Sequence, residues 1–211
     1  IYVQYWNWLV GPKNPITGER EGGILRGDFG YSRSNSMPVG DLIARRFPNT
    51  LDLAIWTIAP MILVGIWLGV QAAVHHNGFI DQLARIFSIV GTSFPVFVFG
   101  LLALMLFYAK LNWLPPGRLS DWASAVVSSS EWKTYLNLIT FDALLNGRFD
   151  VFWDAIKHMI LPILTLSYIN WATFLRVTRS SMLETLRMDY VVTARAKGLK
   201  EKDVIFKHAR P

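Results

Sequence analysis

The chain has 211 residues, of which 52% are hydrophobic and 17% are charged, and its mean hydropathy is +0.31. This composition excludes an intrinsically disordered chain and argues against an ordinary soluble domain. The net charge is +6, and no residue is cysteine. The absence of cysteine excludes a disulfide framework, a cysteine-ligated metal and a thiol nucleophile.

The first segment, residues 1–49, is rich in turn-forming residues and shows no secretion signal. A short helix is predicted from Met37 to Phe47, because Pro38 near its start and Asp41 in its first turn are typical of helix N-termini. We expect residues 1–49 to lie on the outer side of a membrane, after a first span that precedes Ile1.

Three stretches without a charged residue follow, with 22 residues at Leu53–Val74, 24 at Ile86–Ala109 and 17 at Met159–Leu175. A hydrocarbon core of about 30 Å requires roughly 20 helical residues. Each stretch is apolar all round, whereas a surface helix has a polar face. One such stretch is compatible with a buried helix of a soluble protein, but three predict an all-α polytopic membrane protein.

The distribution of charge predicts the orientation of these spans. Residues 176–211 carry nine Lys or Arg and four Asp or Glu, an excess that favours the cytoplasmic side. The loop 110–157 is then outside, and the turn 75–85 is inside. Because the basic excess directly follows a span, membrane orientation explains it better than nucleic-acid binding.

The outer loop begins with the helix-breaking sequence Leu114-Pro115-Pro116-Gly117. Two short helices are predicted after it, near residues 121–127 and 131–145.

Each predicted span contains one proline: Pro60, Pro95 or Pro162. Proline removes a backbone donor and kinks a helix. Two interpretations stay open, which are simple packing geometry and a translocation path that opens and closes. On the second interpretation the candidate path residues are Ser93, Pro95 and Asn170.

The first predicted span also contains two glycines four residues apart, Gly65 and Gly69. This Gly-x-x-x-Gly spacing allows a second helix to approach closely. Helix packing is therefore predicted at this face.

The sequence lacks the motifs that several kinds of enzyme chemistry require. The sequence contains no nucleotide-binding loop, serine-hydrolase elbow or zinc-hydrolase helix. His75 and His76 are adjacent, and adjacent helical residues point about 100° apart, so an interfacial pair is favoured over a metal site. The span interiors contain no ionisable residue, and Asp52 at an edge is the nearest, which weakens an ion-driven mechanism. We therefore predict a chain that is not an enzyme and has no cofactor or metal of its own.

The last segment combines basic and small residues. Ala194, Ala196 and Gly198 let another surface approach the backbone, and Gly198 can end a helix in the left-handed conformation. A second helical stretch is predicted from Lys200 to His208. Composition leaves two interpretations equally open, which are a helix lying on anionic lipid and a docking site for a partner.

The residues themselves favour docking, because Arg179–Glu184 and Asp189–Leu199 closely resemble the membrane subunits of ABC importers. The resemblance is greatest to the B-type permease of the dipeptide and oligopeptide group. Leu25–Ser32, Ser93–Pro95 and Leu114–Gly117 agree in order, so the resemblance covers nearly the whole chain. It implies the type I ABC importer permease fold, with three spans of a six-span subunit present in a partial chain.

In that family the last segment is the coupling loop, which docks on the ATP-binding subunit. Gly198 matches the motif glycine, Ala194 its second alanine and Thr193 its first, while Val192 replaces the glutamate of the general motif. The motif continues to a Leu-Pro that would lie beyond Pro211. The docking residues that the resemblance implies are Tyr190, Thr193, Ala194, Arg195, Ala196, Lys197, Gly198 and Leu199.

The resemblance also implies the assembly and its location. A second permease subunit, two ATP-binding subunits that hold ATP and Mg²⁺, and an extracytoplasmic substrate-binding protein are expected in the cell membrane of a prokaryote. The expected substrates are peptides, with oligosaccharides or nickel complexes as possibilities within the group. An ion-coupled secondary transporter and a non-transporting membrane scaffold subunit stay open as alternatives.

Overall fold

The computed structural model describes residues 1–209, so Arg210 and Pro211 of the predicted coupling segment lie outside the described residues. Helices dominate the described part of the chain, and the one sheet found there is a two-stranded antiparallel pair. The elements are α1 (Tyr2–Val10), β1 (Tyr31–Ser32), β2 (Met37–Pro38), α2 (Val39–Val74), α3 (Phe79–Ser93), α4 (Val96–Leu104), α5 (Asp121–Val127), α6 (Ile139–Leu145), α7 (Phe149–Thr185), α8 (Asp189–Ala196) and α9 (Glu201–Asp203). A 3₁₀ turn covers Ile24–Arg26, and π-helical turns extend α4 over Met105–Lys110 and α9 over Val204–Ala209.

Two long helices, α2 and α7, form the centre of the molecule and run parallel to each other. Residue numbers rise in the same direction along both helices at their contacts: Thr57 lies beside Ser167, and Gly69, further along α2, lies beside Thr178, further along α7. Both helices are long and apolar enough to cross a membrane, and a third crossing is obtained if α3 and α4 count as one bent span.

The close approach predicted at Gly65 and Gly69 is confirmed. A Cβ atom added at Gly65 would lie 2.6 Å from Phe174 Cβ, and one added at Gly69 would lie 2.6 Å from Thr178 Cβ. A hydrogen bond also joins the two helices, because Trp171 Nε1 donates to the Pro60 carbonyl at 3.0 Å. Small residues thus allow two helix backbones to meet without an intervening side chain.

The second predicted span is broken rather than merely kinked. Helix α3 begins at Phe79 and ends at Ser93, and the axis of α4 is turned from it by 104°. Phe94 between them is extended, with φ −102° and ψ 135°, which is the conformation that a following proline imposes. A single helix over 86–109 is therefore not what the chain forms.

The first part of the chain differs from expectation in two places. The short helix predicted at Met37–Phe47 is not separate, because α2 begins at Val39 and continues through Pro48 to Val74. Helix α1, Tyr2–Val10, was not predicted from the turn-rich composition of residues 1–49.

The loop between α4 and α7 contains the helix predicted at 121–127, which is α5. The helix predicted at 131–145 is shorter and covers only Ile139–Leu145. The Asp142 carboxylate accepts hydrogen bonds from the backbone N–H groups of Tyr135 and Leu136, at 3.2 and 2.8 Å. Because these two N–H groups are bonded to a side chain, the backbone before α6 does not need a helix to satisfy them.

Asp52, expected only at a span edge, fastens this loop to α2. Its carboxylate is 1% exposed and accepts from the Thr140 hydroxyl and, at 3.3 Å, from the Thr140 backbone N–H. Arg118 Nη2 lies 3.5 Å from the same carboxylate. A buried charge is tolerated here because it is both paired and hydrogen-bonded.

Candidate functional site

The chain turns sharply at Gly198, between α8 and α9. Gly198 has φ +77°, in the left-handed region where glycine carries no Cβ penalty. Its N–H donates to the Arg195 carbonyl at 2.9 Å, which closes the turn. The predicted helix end at Gly198 is confirmed. We call residues 189–209 the elbow.

The elbow packs on the ends of both long helices. The side chains Val191 of α8 and Val204 after α9 are completely buried. They belong to one hydrophobic cluster with Val70 and Ala73 of α2 and Met182 of α7. The elbow is therefore fixed to the long helices by apolar packing and does not lie apart from them.

The predicted docking residues divide into two groups. Ala194 is only 6% exposed and faces the cluster inside the elbow, so it does not offer a small surface to a partner, contrary to expectation. The remaining residues are exposed, and we call the surface that they form the outer face of the elbow: Tyr190, Thr193, Arg195, Ala196, Lys197, Gly198 and Leu199.

Arg195 also has an internal role that the sequence did not indicate. Its guanidinium binds the Glu201 carboxylate in bidentate fashion, at 2.7 and 3.2 Å, and approaches the Leu186 carbonyl at 3.4 Å. The hydrogen bond from Arg195 lowers the pKa of Glu201. This pair joins α8 to α9 across Gly198, and Arg195 also contacts the residue that follows α7.

A second cluster, centred on Asp81 of α3, links the broken span to α7. The Asp81 side chain is completely buried. Arg179 of α7 binds it at 2.6 and 2.9 Å, and Arg85 binds it at 2.9 Å. His76 Nδ1 lies 3.5 Å away, and the Asn77 N–H donates at 3.0 Å. The cluster lies beside the elbow, since Arg179 precedes Met182 by one helical turn.

His75 and His76 do not form a metal site in the structure. His75 Nδ1 lies 3.0 Å from the Gln71 carbonyl, and His76 faces Arg179 and Asp81. Within residues 1–209 no group of three metal-ligating side chains comes together.

The candidate path residues are exposed, and the side-chain hydrogen bonds found for Ser93 and Asn170 among the described residues lie within their own helices. The Ser93 hydroxyl donates to the Ile89 carbonyl at 2.7 Å, and the Asn170 amide donates to the Leu166 carbonyl at 2.7 Å. Pro95 begins α4 at the break. A translocation path through these three residues stays a prediction.

A cavity of about 370 Å³ lies between α4 and α7, and none of those three residues lines it. Its wall is mostly apolar and includes Gly100 and Thr165. His158 also lines it, 5% exposed, with Nδ1 2.8 Å from the Asp154 carbonyl. Pro115, Pro116 and Gly117, which the sequence indicated only as a helix-breaking segment, also line this cavity.

These features define a class: a helical membrane protein with a broken span and an elbow packed on two parallel long helices. Residues 61–211 match the family model described as "Binding-protein-dependent transport system inner membrane component". The chain belongs to this family and has the type I ABC importer permease fold. The resemblance based on residues 179–199 is thereby confirmed.

Individual relatives agree with this family. The chain is 37% identical, over its whole length and 57% of the relative, to the "Probable D,D-dipeptide transport system permease protein" of Escherichia coli (strain K12). A "Dipeptide transport system permease protein" of Alkalihalophilus pseudofirmus is 36% identical over 88% of the chain and 54% of the relative. An "Oligopeptide transport system permease protein" of Bacillus subtilis (strain 168) is 35% identical over 98% of the chain and 54% of the relative. The chain spans about half the length of the curated relatives it matches.

Proposed function

We propose that this chain is part of a permease subunit of an ATP-driven importer of peptides. A second permease subunit completes the pathway, two ATP-binding subunits bind and hydrolyse ATP with Mg²⁺, and an external protein delivers the substrate. The observation that supports this proposal is the arrangement of the elbow. It presents an exposed outer face with Lys197 and Tyr190, while its inner face is packed on α2 and α7.

The contacts provide a route by which work on the elbow reaches the broken span. Val191 and Val204 pack against α2 and α7. Helix α7 is joined to α3 through Arg179 and Asp81, and α3 ends at the 104° bend. Coupling requires that the ATP-binding subunits bind the elbow differently in their two states. A displaced elbow then shifts α7 and α3 together.

The proposed orientation places the elbow on the cytoplasmic side, because residues 176–211 carry the basic excess. Residues 1–49 and the loop 110–157 then face the substrate-binding protein. Peptides are the proposed substrates because relatives from three organisms are named as dipeptide or oligopeptide permeases.

The test compares substitutions on the exposed face of the elbow in the full-length permease. Lys197→Glu reverses a charge on that face, and Lys133→Glu makes the same change on an exposed side chain at the other end of the molecule. We expect Lys197→Glu to weaken binding of the ATP-binding subunits about tenfold, equivalent to about 1.4 kcal/mol of docking energy, and to lower both their co-purification and the substrate-stimulated hydrolysis of ATP. Lys133→Glu should leave co-purification of the ATP-binding subunits unchanged, because Lys133 lies in the loop 110–157, away from the elbow.

A pair of substitutions at Gly198 separates docking from local conformation. A Cβ atom at Gly198 meets nothing within 4 Å, so only its positive φ limits substitution. Asparagine and aspartate both tolerate this conformation better than most residues with a side chain. If the partner approaches the bare backbone, both Gly198→Asn and Gly198→Asp abolish transport while the membrane part still folds. Unchanged transport in both, or transport by vesicles without ATP-binding subunits, would refute the proposal.

A further inference from the structure

A basic pocket of about 550 Å³ opens between α3 and α7, close to the elbow. It is separate from the outer face of the elbow and from the cavity beside α4. Its lining residues are His76, Arg85, Ser88, Ile89, Leu175, Arg176, Arg179 and Ser180. The pocket therefore combines three guanidinium groups with two serine hydroxyls and two aliphatic side chains.

Positive charge exceeds negative charge at this pocket. Arg85 and Arg179 share one carboxylate, that of Asp81, which is completely buried behind them. Arg176 is exposed, and among the side chains that the structure describes it has no partner in an ion pair or side-chain hydrogen bond. One carboxylate for three guanidinium groups leaves an excess of positive charge, which favours an anionic ligand.

An apolar cleft of about 200 Å³ adjoins this pocket, and the two share Ser88 and Leu175. The polar groups of the cleft are already bonded. The Tyr168 hydroxyl donates to the Phe87 carbonyl at 3.2 Å, and the Ser88 hydroxyl donates to the Ala172 carbonyl at 3.4 Å. The cleft thus offers hydrocarbon contacts, while the pocket at its end offers positive charge.

We propose that this pocket and cleft bind one anionic phospholipid. The phosphate lies against Arg85, Arg176 and Arg179, and the first part of an acyl chain lies in the cleft beside Leu175. Basic pockets between membrane helices on the cytoplasmic side are suited to such headgroups. A free phosphate would use only the pocket, whereas a phospholipid also fills the adjoining cleft. This proposal does not depend on peptide transport.

The experiment uses the full-length permease in its complex, purified in detergent and embedded in nanodiscs. The nanodiscs contain dioleoylphosphatidylcholine with or without dioleoylphosphatidylglycerol, and native mass spectrometry counts the phosphatidylglycerol that stays bound after transfer to detergent. Arg176→Gln removes a guanidinium that has no ion-pair partner among the described side chains, and circular dichroism of the variant checks that its helices are retained. We expect this variant to retain phosphatidylglycerol about fivefold more weakly.

Arg187→Gln is the matched control, because Arg187 is also basic and exposed at the same end of α7 but does not line the pocket. It should retain phosphatidylglycerol like the unaltered protein. Dioctanoylphosphatidylglycerol should displace the bound lipid at concentrations where inorganic phosphate does not. Equal losses in Arg176→Gln and Arg187→Gln, displacement by inorganic phosphate, or no retained phosphatidylglycerol in the unaltered protein would each overturn the proposal.

Discussion

At the scale of single residues, Asp81 is the clearest case of a charge whose role comes from its partners. It is completely buried and binds two guanidinium groups, so its removal leaves Arg179 and Arg85 without their counter-charge. We expect Asp81→Asn to lower the stability of the full-length permease by about 2 kcal/mol, the usual value of a lost charge-assisted hydrogen bond. The midpoint of denaturant-induced unfolding in detergent measures this.

A matched control is available in the exposed ion pair of Arg148 and Asp150. Its side chains are 40% and 50% exposed, with the charged atoms 2.7 Å apart. Asp150→Asn makes the same chemical change where water screens the charges, so the unfolding midpoint should hardly move. Equal shifts in Asp81→Asn and Asp150→Asn would show that the Asp81 cluster is not a structural link.

At the scale of elements, the contact between α2 and α7 depends on the absence of side chains. In Gly65→Ala the new methyl group would lie 2.6 Å from Phe174 Cβ, which forces the helices apart and costs about 2 kcal/mol. The higher helix propensity of alanine offsets at most about 1 kcal/mol. Gly91→Ala gains the same propensity but meets Tyr168 only at 3.5 Å. Unfolding midpoints should therefore fall for Gly65→Ala and not for Gly91→Ala.

The sequence was informative about elements wherever a local rule decides the structure. Uncharged stretches located the cores of α2 and α7, the glycine spacing located their contact, and Gly198 located the end of α8. The bend at Phe94–Pro95 is larger than the kink that the sequence predicted. A proline predicts a kink but not its angle, which depends on packing against α7. The pairs Asp81–Arg179 and Asp52–Arg118 join residues 98 and 66 positions apart, and no periodicity within one element could reveal them.

At the scale of the whole molecule, the elbow, α7 and α3 form one connected path that ends at the bend. If the path transmits motion, the distance across the bend should change when the ATP-binding subunits bind ATP. The chain has no cysteine, so Phe79→Cys on α3 and Leu101→Cys on α4, both exposed, provide two spin-label sites within it. Pulsed electron–electron double resonance on the assembled transporter should give different distance distributions with and without bound ATP.

If motion follows this path, the contact between Asp81 and Arg179 should be required for the bend to follow the elbow. Asp81→Asn in the same doubly labelled protein removes the ion pair between α3 and Arg179 of α7 but leaves the outer face of the elbow unaltered, so ATP-binding subunits should still bind. We expect the ATP-dependent change in distance to be lost or reduced, while Asp150→Asn preserves it. If the change is as large in Asp81→Asn as in the unaltered protein, motion reaches the bend by another route, such as the direct packing of Gly91 on Ala172, where a Cβ at Gly91 would lie 3.6 Å from Ala172 Cβ.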